Sequence, residues 1–258
     1  MRRLGSVQQK MQCVFMIEVK EETSRKRDGQ QYQVVATETV NPVALEANVD
    51  CAIATEKLDG TCCYVTTFEG RPHLWARLDR KPNKQYCWHS SVVDHNTGKA
   101  LVLRPSADDA DSLEIAAVPL GDLLEQTLEL IGTNVNGNPY ELGCKKQPVH
   151  CLVSHGSVGV RNPPPVDFQQ LRLWFQDSPE GRVEGIVWHC IDGTLVKVHR
   201  HHLGLSWPDG HTRLGDRPLL VHVDTALDEL SSSEDSFARF SKLNGHRFGR
   251  LRDVRFDS

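Results

Sequence analysis

The chain has 258 residues, 39% of them hydrophobic and 25% charged, the balance of a globular protein with one large core or two small ones. A formal net charge of −4 excludes a whole-molecule field that draws in nucleic acid, so such a partner needs a local basic surface. No secretory leader opens the chain and no apolar run is long enough to span a bilayer, which reads as an intracellular protein, not secreted and with no membrane partner.

In chain order, residues 13–19 and 32–36 read as short strands separated by a polar loop over 20–31. Residues 61–68 read as a strand, 69–72 as a turn and 73–78 as the returning strand. Residues 101–118 mix strand-like runs with a polar loop at 108–112. Leu120, Leu123, Leu124, Leu128 and Ile131 recur at helical spacing, so 119–131 is predicted as a helix. Asn134, Asn136 and Asn138 mark a turn-rich stretch. A Pro-rich connection covers 158–166, and 168–175 reads as a short helix. The clearest local signal is 182–200: a strand over 183–190, a two-residue turn at Asp192-Gly193, and a return strand over 194–199. Beyond Leu230 the chain turns Ser-rich and then Arg-rich, and 226–258 reads as a poorly ordered tail. Many short strands, few helices and no regular strand–helix alternation predict an α+β fold with antiparallel sheets.

The eight cysteines form no C-x-x-C pair, which argues against a zinc ribbon and for reduced, buried thiols.

Four places carry candidate chemistry. In Glu56-Lys57-Leu58-Asp59-Gly60, a lysine at a strand end before a glycine-permitted turn can project its amine into a cleft; alone, a solvated corner lysine explains it as well. Arg77 follows Lys57 by twenty residues (77 − 57) on the strand returning from Gly60, and its planar fork suits a phosphate or ribose. With Asp192-Gly193 as the turn, Trp188 faces Lys197, and Glu184, Ile186 and Trp188 share a face with Leu195, Lys197 and His199. Cross-strand charge pairing would explain that face too. Glu129 falls on the predicted helix, where a glutamate is routine.

The order of these pieces resembles the covalent nucleotidyltransferase superfamily of ATP-dependent ligases and mRNA capping enzymes. Lys57-Leu58-Asp59-Gly60 is similar to motif I, Arg77 stands where motif Ia has its arginine, and Glu129-Leu130-Ile131-Gly132 resembles motif III. Glu184-Gly185-Ile186-Val187 is similar to motif IV and Leu195-Val196-Lys197-Val198 to motif V. Residues 55–65, 74–93, 119–140 and 185–208 resemble the vertebrate 5′–3′ RNA ligase family closely, and the likeness spans most of residues 1–225. Two departures stand out. In those relatives a long segment follows the Arg77 strand, whereas here Asn83-Lys84-Gln85 runs straight into Tyr86. His199 also stands where many relatives have a second lysine.

The resemblance implies a nucleotidyltransferase (ATP-grasp-like) domain over 1–225 with antiparallel sheets flanked by a few helices. It implies that Lys57 accepts AMP from ATP, that AMP passes to an RNA 5′-phosphate, and that a 3′-hydroxyl then seals the strand. Lys57, Lys197 and Glu184 are the expected catalytic residues. Glu56, Lys57, Arg77, Glu129 and Lys197 are expected around the nucleotide, and Glu184 beside Mg²⁺ or Mn²⁺. RNA is the expected partner, in RNA repair, with no obligate protein partner. The basic run 77–84 and His199, Arg200, His201 and His202 are candidates for its phosphates; as a metal site, the histidine cluster lacks partners at ligand spacing. The rival readings are a GTP-using capping-type guanylyltransferase and an inactive RNA-binding remnant. Only 59 residues follow His199 (258 − 199), little room for the OB domain that capping enzymes carry, which favours the RNA ligase.

Overall fold

The computed structural model describes residues 10–22, 31–76, 92–94, 96–207, 211–224 and 236–256. Its strands are β1 (Gln12–Cys13), β2 (Phe15–Lys20), β3 (Gln33–Val40), β4 (Ile53–Lys57), β5 (Thr61–Phe68), β6 (Arg71–Ala76), β7 (Val93–Asp94), β8 (Lys99–Pro105), β9 (Leu113–Pro119), β10 (Thr127–Gly132), β11 (His150–Ser154), β12 (Gly185–His189), β13 (Leu195–His199), β14 (Leu219–His222) and β15 (Arg247–Phe248). The described helices are α1 (Pro42–Glu46), α2 (Phe168–Asp177) and α3 (Ser236–Lys242). The fold is α+β, and none of these helices is long and apolar enough to cross a membrane.

The chain divides into two compact units. One gathers Lys10–Leu58 and Val158–Arg213; the other gathers Asp59–Ser157 and Leu214–Ser258. The division falls inside the Lys57–Gly60 motif, between Leu58 and Asp59.

In the first unit, a four-stranded sheet runs β1-β13-β12-β4, antiparallel except where β1 meets β13. One face is apolar: Ala54, Ile186, Trp188, Val196 and Val198 pack with Leu171 and Phe175 of α2 into a core. Asp167 starts α2 by accepting a hydrogen bond from the Gln170 amide at 2.9 Å, the usual repair of an orphan helix donor. Arg200 locks the chain after β13. Its guanidinium donates to the carbonyls of Phe175 (2.7 Å), Gly181 (2.8 Å) and Ser206 (2.7 Å). A second, two-stranded sheet pairs β2 with β3.

In the second unit, nine strands share a mixed sheet ordered β15-β14-β9-β8-β11-β10-β5-β6, with β7 beside β8. The β5–β6 hairpin closes through Glu69 (φ 49°) and Gly70 (φ 77°). Both central residues of this two-residue turn are left-handed, which matches the strands' twist. Cys63, Val65, Val102, Leu128, Leu130 and Leu152 meet in the core beneath the sheet.

Four expectations need correction. The predicted helix over 119–131 is a short 3-10 turn, Leu120–Leu123, followed by β10. Glu125 takes a left-handed φ of 60° and Leu124 is extended, so the helix stops there. Leu128 and Ile131, the last two of that series, lie instead on β10, which is buried from Leu128 to Gly132. The 182–200 hairpin is shifted by one residue: Trp188 pairs with Val196, and Val187 with Lys197. Three residues, Ile191, Asp192 and Gly193, form the loop. The Cys190 amide donates to the Thr194 carbonyl, the Gly193 amide donates back to Cys190 at 3.0 Å, and Gly193 sits at φ 85°. This is a three-residue hairpin with glycine in the left-handed position. The one-residue slip exchanges faces, so Ile186 and Trp188 lie opposite Lys197 and His199. Finally, 226–258 is no unstructured tail throughout. Residues 236–256 carry α3 and β15 and bury Phe237, Phe240, Leu251, Val254 and Phe256. They belong to the second unit rather than lying beyond a boundary at 225. The cysteines are also less hidden than expected, for Cys51 and Cys144 are exposed while Cys13, Cys63, Cys151 and Cys190 are buried.

Candidate active site

Lys57 ends β4, the edge strand of the four-stranded sheet, and Gly185 of β12 is its partner in the ladder. Gly185 in turn faces His199 of β13, and Val187 faces Lys197. Side chains two apart on a strand share a face, so Lys57, Lys197 and His199 all rise from the side opposite the apolar core. Gly185 makes room between them. A Cβ there would sit 2.1 Å from the Val198 carbonyl oxygen, so only glycine permits this close pairing.

Glu184 enters this face from just before β12. Its Oε2 lies 2.5 Å from Lys57 Nζ, and its side chain is only 3% exposed. The same amine donates to the Leu58 carbonyl at 3.1 Å, and Glu184 Oε1 lies 3.9 Å from His199 Nδ1. Burial pushes the Lys197 amine down to about 8, and the neighbouring Lys57 charge pushes the same way against the pull of Glu184. Glu184 thus bonds to Lys57 and acts on Lys197 only through space, while the Lys57 charge disfavours the Lys197 ammonium form.

Glu56 does not join this group. It alternates with Lys57 along β4, pairs with Ile186 and is buried, so its side chain lies on the opposite face. Arg200 is not available to a phosphate either, because its guanidinium is buried and spent on three carbonyls. Arg77 and the basic run 77–84 lie outside the described residues.

Glu129 sits on β10 of the other unit, facing away from Leu128 and Leu130 and their core. Its Oε1 accepts from the Gly60 amide at 2.9 Å, and its Oε2 lies 2.7 Å from His155 Nε2. The Asp59 amide donates to the Tyr140 hydroxyl oxygen at 2.8 Å, and Asn136 Nδ2 donates to Asp59 Oδ1 (3.0 Å) and the Gly60 carbonyl (2.7 Å). Gly60 is required there, since a Cβ would meet the Leu130 carbonyl oxygen at 2.2 Å. Asn136, Tyr140 and His155 escaped sequence reasoning. Asn136 gave a signal only as a turn residue (its φ is 45°), and the other two gave none.

Among the described residues, two groups could hold a metal through clustered side chains: His199, His201 and His202, and Cys62, Glu129 and His155. Within each, the ligand atoms lie within 4.8 Å of one another. Glu184 is a different kind of candidate. A single buried carboxylate fits Mg²⁺ or Mn²⁺, which take one or two carboxylates together with substrate phosphates.

Comparison with known proteins identifies the family. The family model described as RNA ligase 1 matches residues 1–85 and 83–257. RNA ligase 1 of Danio rerio is 52% identical, and those of Pongo abelii and Mus musculus are each 45% identical, covering 100% of both chains. The alignment to the Danio rerio protein runs over 324 positions against 258 residues here, leaving at least 66 (324 − 258) that this chain does not fill. The chain belongs to the RNA ligase 1 family.

Proposed function

We propose that this protein is an ATP-dependent RNA ligase that joins 5′-phosphate and 3′-hydroxyl RNA ends through a lysyl-AMP intermediate on Lys57, in RNA repair. The observation that carries the reading is the contact of Lys57 with a buried carboxylate, on a sheet face that also holds Lys197. A lone surface lysine would be protonated and inert. Here the buried Glu184 fixes the amine's position, and a second lysine stands on the same face to meet a phosphate.

In the first step the deprotonated Lys57 amine attacks the α-phosphorus of ATP. A nitrogen–phosphorus bond forms, the bond to the β-phosphate bridging oxygen breaks, and pyrophosphate leaves. Lys197 stabilises negative charge on the phosphate oxygens as it develops. Glu184 would hold Mg²⁺ or Mn²⁺; when bound, the ion neutralises phosphate charge. Arg77 and Glu129 carry the phosphate and ribose contacts that the family motifs imply. In the second step an RNA 5′-phosphate oxygen attacks the same phosphorus, the nitrogen–phosphorus bond breaks, and a 5′–5′ pyrophosphate linkage forms. In the third, a 3′-hydroxyl attacks the RNA phosphorus, sealing the strand and releasing AMP.

The test is mass spectrometry of the protein after incubation with ATP and Mg²⁺. An AMP adduct mapped to Lys57 and absent from folded Lys57→Ala is the expected result. A GMP adduct formed with GTP instead would indicate a capping-type enzyme. Binding of nicked, 5′-phosphorylated RNA with no adduct under either nucleotide would overturn the reading, leaving an RNA-binding protein without ligase chemistry.

A further inference from the structure

His199, the last residue of β13, leads into a 3-10 turn, Arg200–Leu203, that carries His201 and His202. In a 3-10 turn residues three apart eclipse, which brings His199 and His202 together with ring centroids 4.3 Å apart; His201 lies 4.4 Å from one and 4.6 Å from the other. Both ring nitrogens of His199 are buried, and neither makes a hydrogen bond within the described structure. A buried polar nitrogen without a partner is destabilising, and a missing ion is one of the standard explanations.

From this geometry we propose that His199, His201 and His202 bind a divalent transition-metal ion of the zinc class, with a fourth coordination position left open. Three imidazole nitrogens are a borderline-soft donor set that suits Zn²⁺ and Co²⁺ far better than Mg²⁺ or Ca²⁺. Metal–nitrogen bonds of about 2.0–2.1 Å put tetrahedral ligands about 3.4 Å apart. Nitrogens already within 4.8 Å of one another need only small side-chain rotations to close on an ion.

The turn is also held rigid. Arg200 ties it to three carbonyls, the Leu205 amide donates to the Arg200 carbonyl at 2.9 Å, and Gly204 closes the turn at φ 72°. A ligand set on a fixed frame pays little ordering cost on binding. Burial, reinforced by the charges of Lys57 and Lys197 and by the other two imidazoles, disfavours the charged form of His199. A neutral imidazole is the metal-binding form. The nearby ammonium groups oppose a further cation, but the Glu184 carboxylate, 3.9 Å from His199 Nδ1, offsets part of that repulsion. The rival cluster is less free. Glu129 and His155 already bond to each other and Glu129 to the Gly60 amide, so a metal there must first displace those contacts.

The experiment uses the full chain, stripped with chelator and titrated with Zn²⁺ and separately with Co²⁺, with no nucleotide present. A single equivalent of Zn²⁺ should be retained. The Co²⁺ form should show the visible absorption of a four- or five-coordinate ion without the near-ultraviolet band of thiolate ligation. His201→Gln, at the most exposed of the three positions, should weaken binding by about tenfold or more, as should His202→Gln, with folding checked by circular dichroism. Cys62→Ser should bind as the parent does. No retained Zn²⁺, a thiolate band, unchanged affinity in both folded histidine variants, or loss of the ion in Cys62→Ser would each overturn the proposal. Because the readout is metal binding, the result is independent of whether Lys57 accepts AMP.

Discussion

Lys57 and Glu184 are 127 residues apart in sequence, yet their charged atoms meet at 2.5 Å because β4 and β12 are neighbours with Lys57 in register with Gly185. The acid is almost fully buried and the amine largely so, so each is the other's main charge compensation. Glu184→Gln keeps the shape and an acceptor but removes the charge. Chemical denaturation should show a loss of about 1–3 kcal/mol, the typical cost of unpairing a buried charged hydrogen bond. The AMP adduct on Lys57 should fall by at least a hundredfold in the same variant. Unchanged adduct formation would mean that Glu184 only holds the amine in the resting protein.

Lys197 makes stability depend on pH in a defined window. Its amine titrates near 8 when folded and near 10.5 in the unfolded chain. Below pH 8 both states are protonated, so the full penalty of burying the ammonium applies. Between about 8 and 10.5 the unfolded chain binds more protons than the native one, so this group's contribution rises with pH. Lys197→Met removes the group while keeping most of its volume. The stability difference, Lys197→Met minus parent, should be greatest at pH 7 and should shrink steadily as pH rises from 8 to 10.5. Paired urea titrations across that range check this. A difference that stays flat would show that the amine is not displaced from its ordinary range. Adduct formation should be lost in Lys197→Met at every pH.

The linear order of chemical groups was readable because each one sits beside a local signal: a glycine after Lys57, a hairpin around Lys197. Distances across the sheet were not. Asp192-Gly193 reads as a complete two-residue turn, and only the backbone reveals that Ile191 belongs to the loop, which moves Trp188 and Ile186 to the core face. Glu129 reads as helical because the leucines at 120, 123, 124 and 128 fit a helix, although only Leu128 of the four lies on β10, whose continuous burial leaves no alternation to read. Glu125 breaks the helix through a left-handed backbone that no propensity scale assigns to glutamate. That the rings of 199, 201 and 202 stack on one another was not legible either, because a 3-10 turn rather than any sequence spacing brings them together.

The C-terminal stretch is the other place where composition misled. Serines and arginines dominate it, but its few aromatics are spent on packing. Phe237 and Phe240 are fully buried, and Phe256 meets Phe240 edge to face with centroids 5.1 Å apart. Phe237→Ala should therefore cost about 3–5 kcal/mol, the range for emptying an aromatic from a core. Urea unfolding of the full chain measures this directly. A loss under about 1 kcal/mol would return the segment to the status of a tail.

Gly60 links the lysine motif to the strand that bears Glu129, and its constraint is steric rather than torsional. A Cβ on Gly60 would lie 2.2 Å from the Leu130 carbonyl oxygen and 2.9 Å from Glu129 Cγ, below any tolerated contact, and the carbonyl belongs to a central strand that cannot retreat. Two outcomes are open to Gly60→Ala: either β10 shifts, or the Asp59-Gly60 corner lifts away. Both break the hydrogen bond from the Gly60 amide to Glu129. The expected loss is about 3 kcal/mol, at the upper end for overpacking. Asn136→Ala removes two hydrogen bonds to the same corner without any clash and should cost about 1–2 kcal/mol. If the corner acts as one unit, the double variant costs less than the sum, because the second change finds contacts already broken. Additive losses measured by denaturation in this cycle would show that the clash at Gly60 is absorbed by β10 alone.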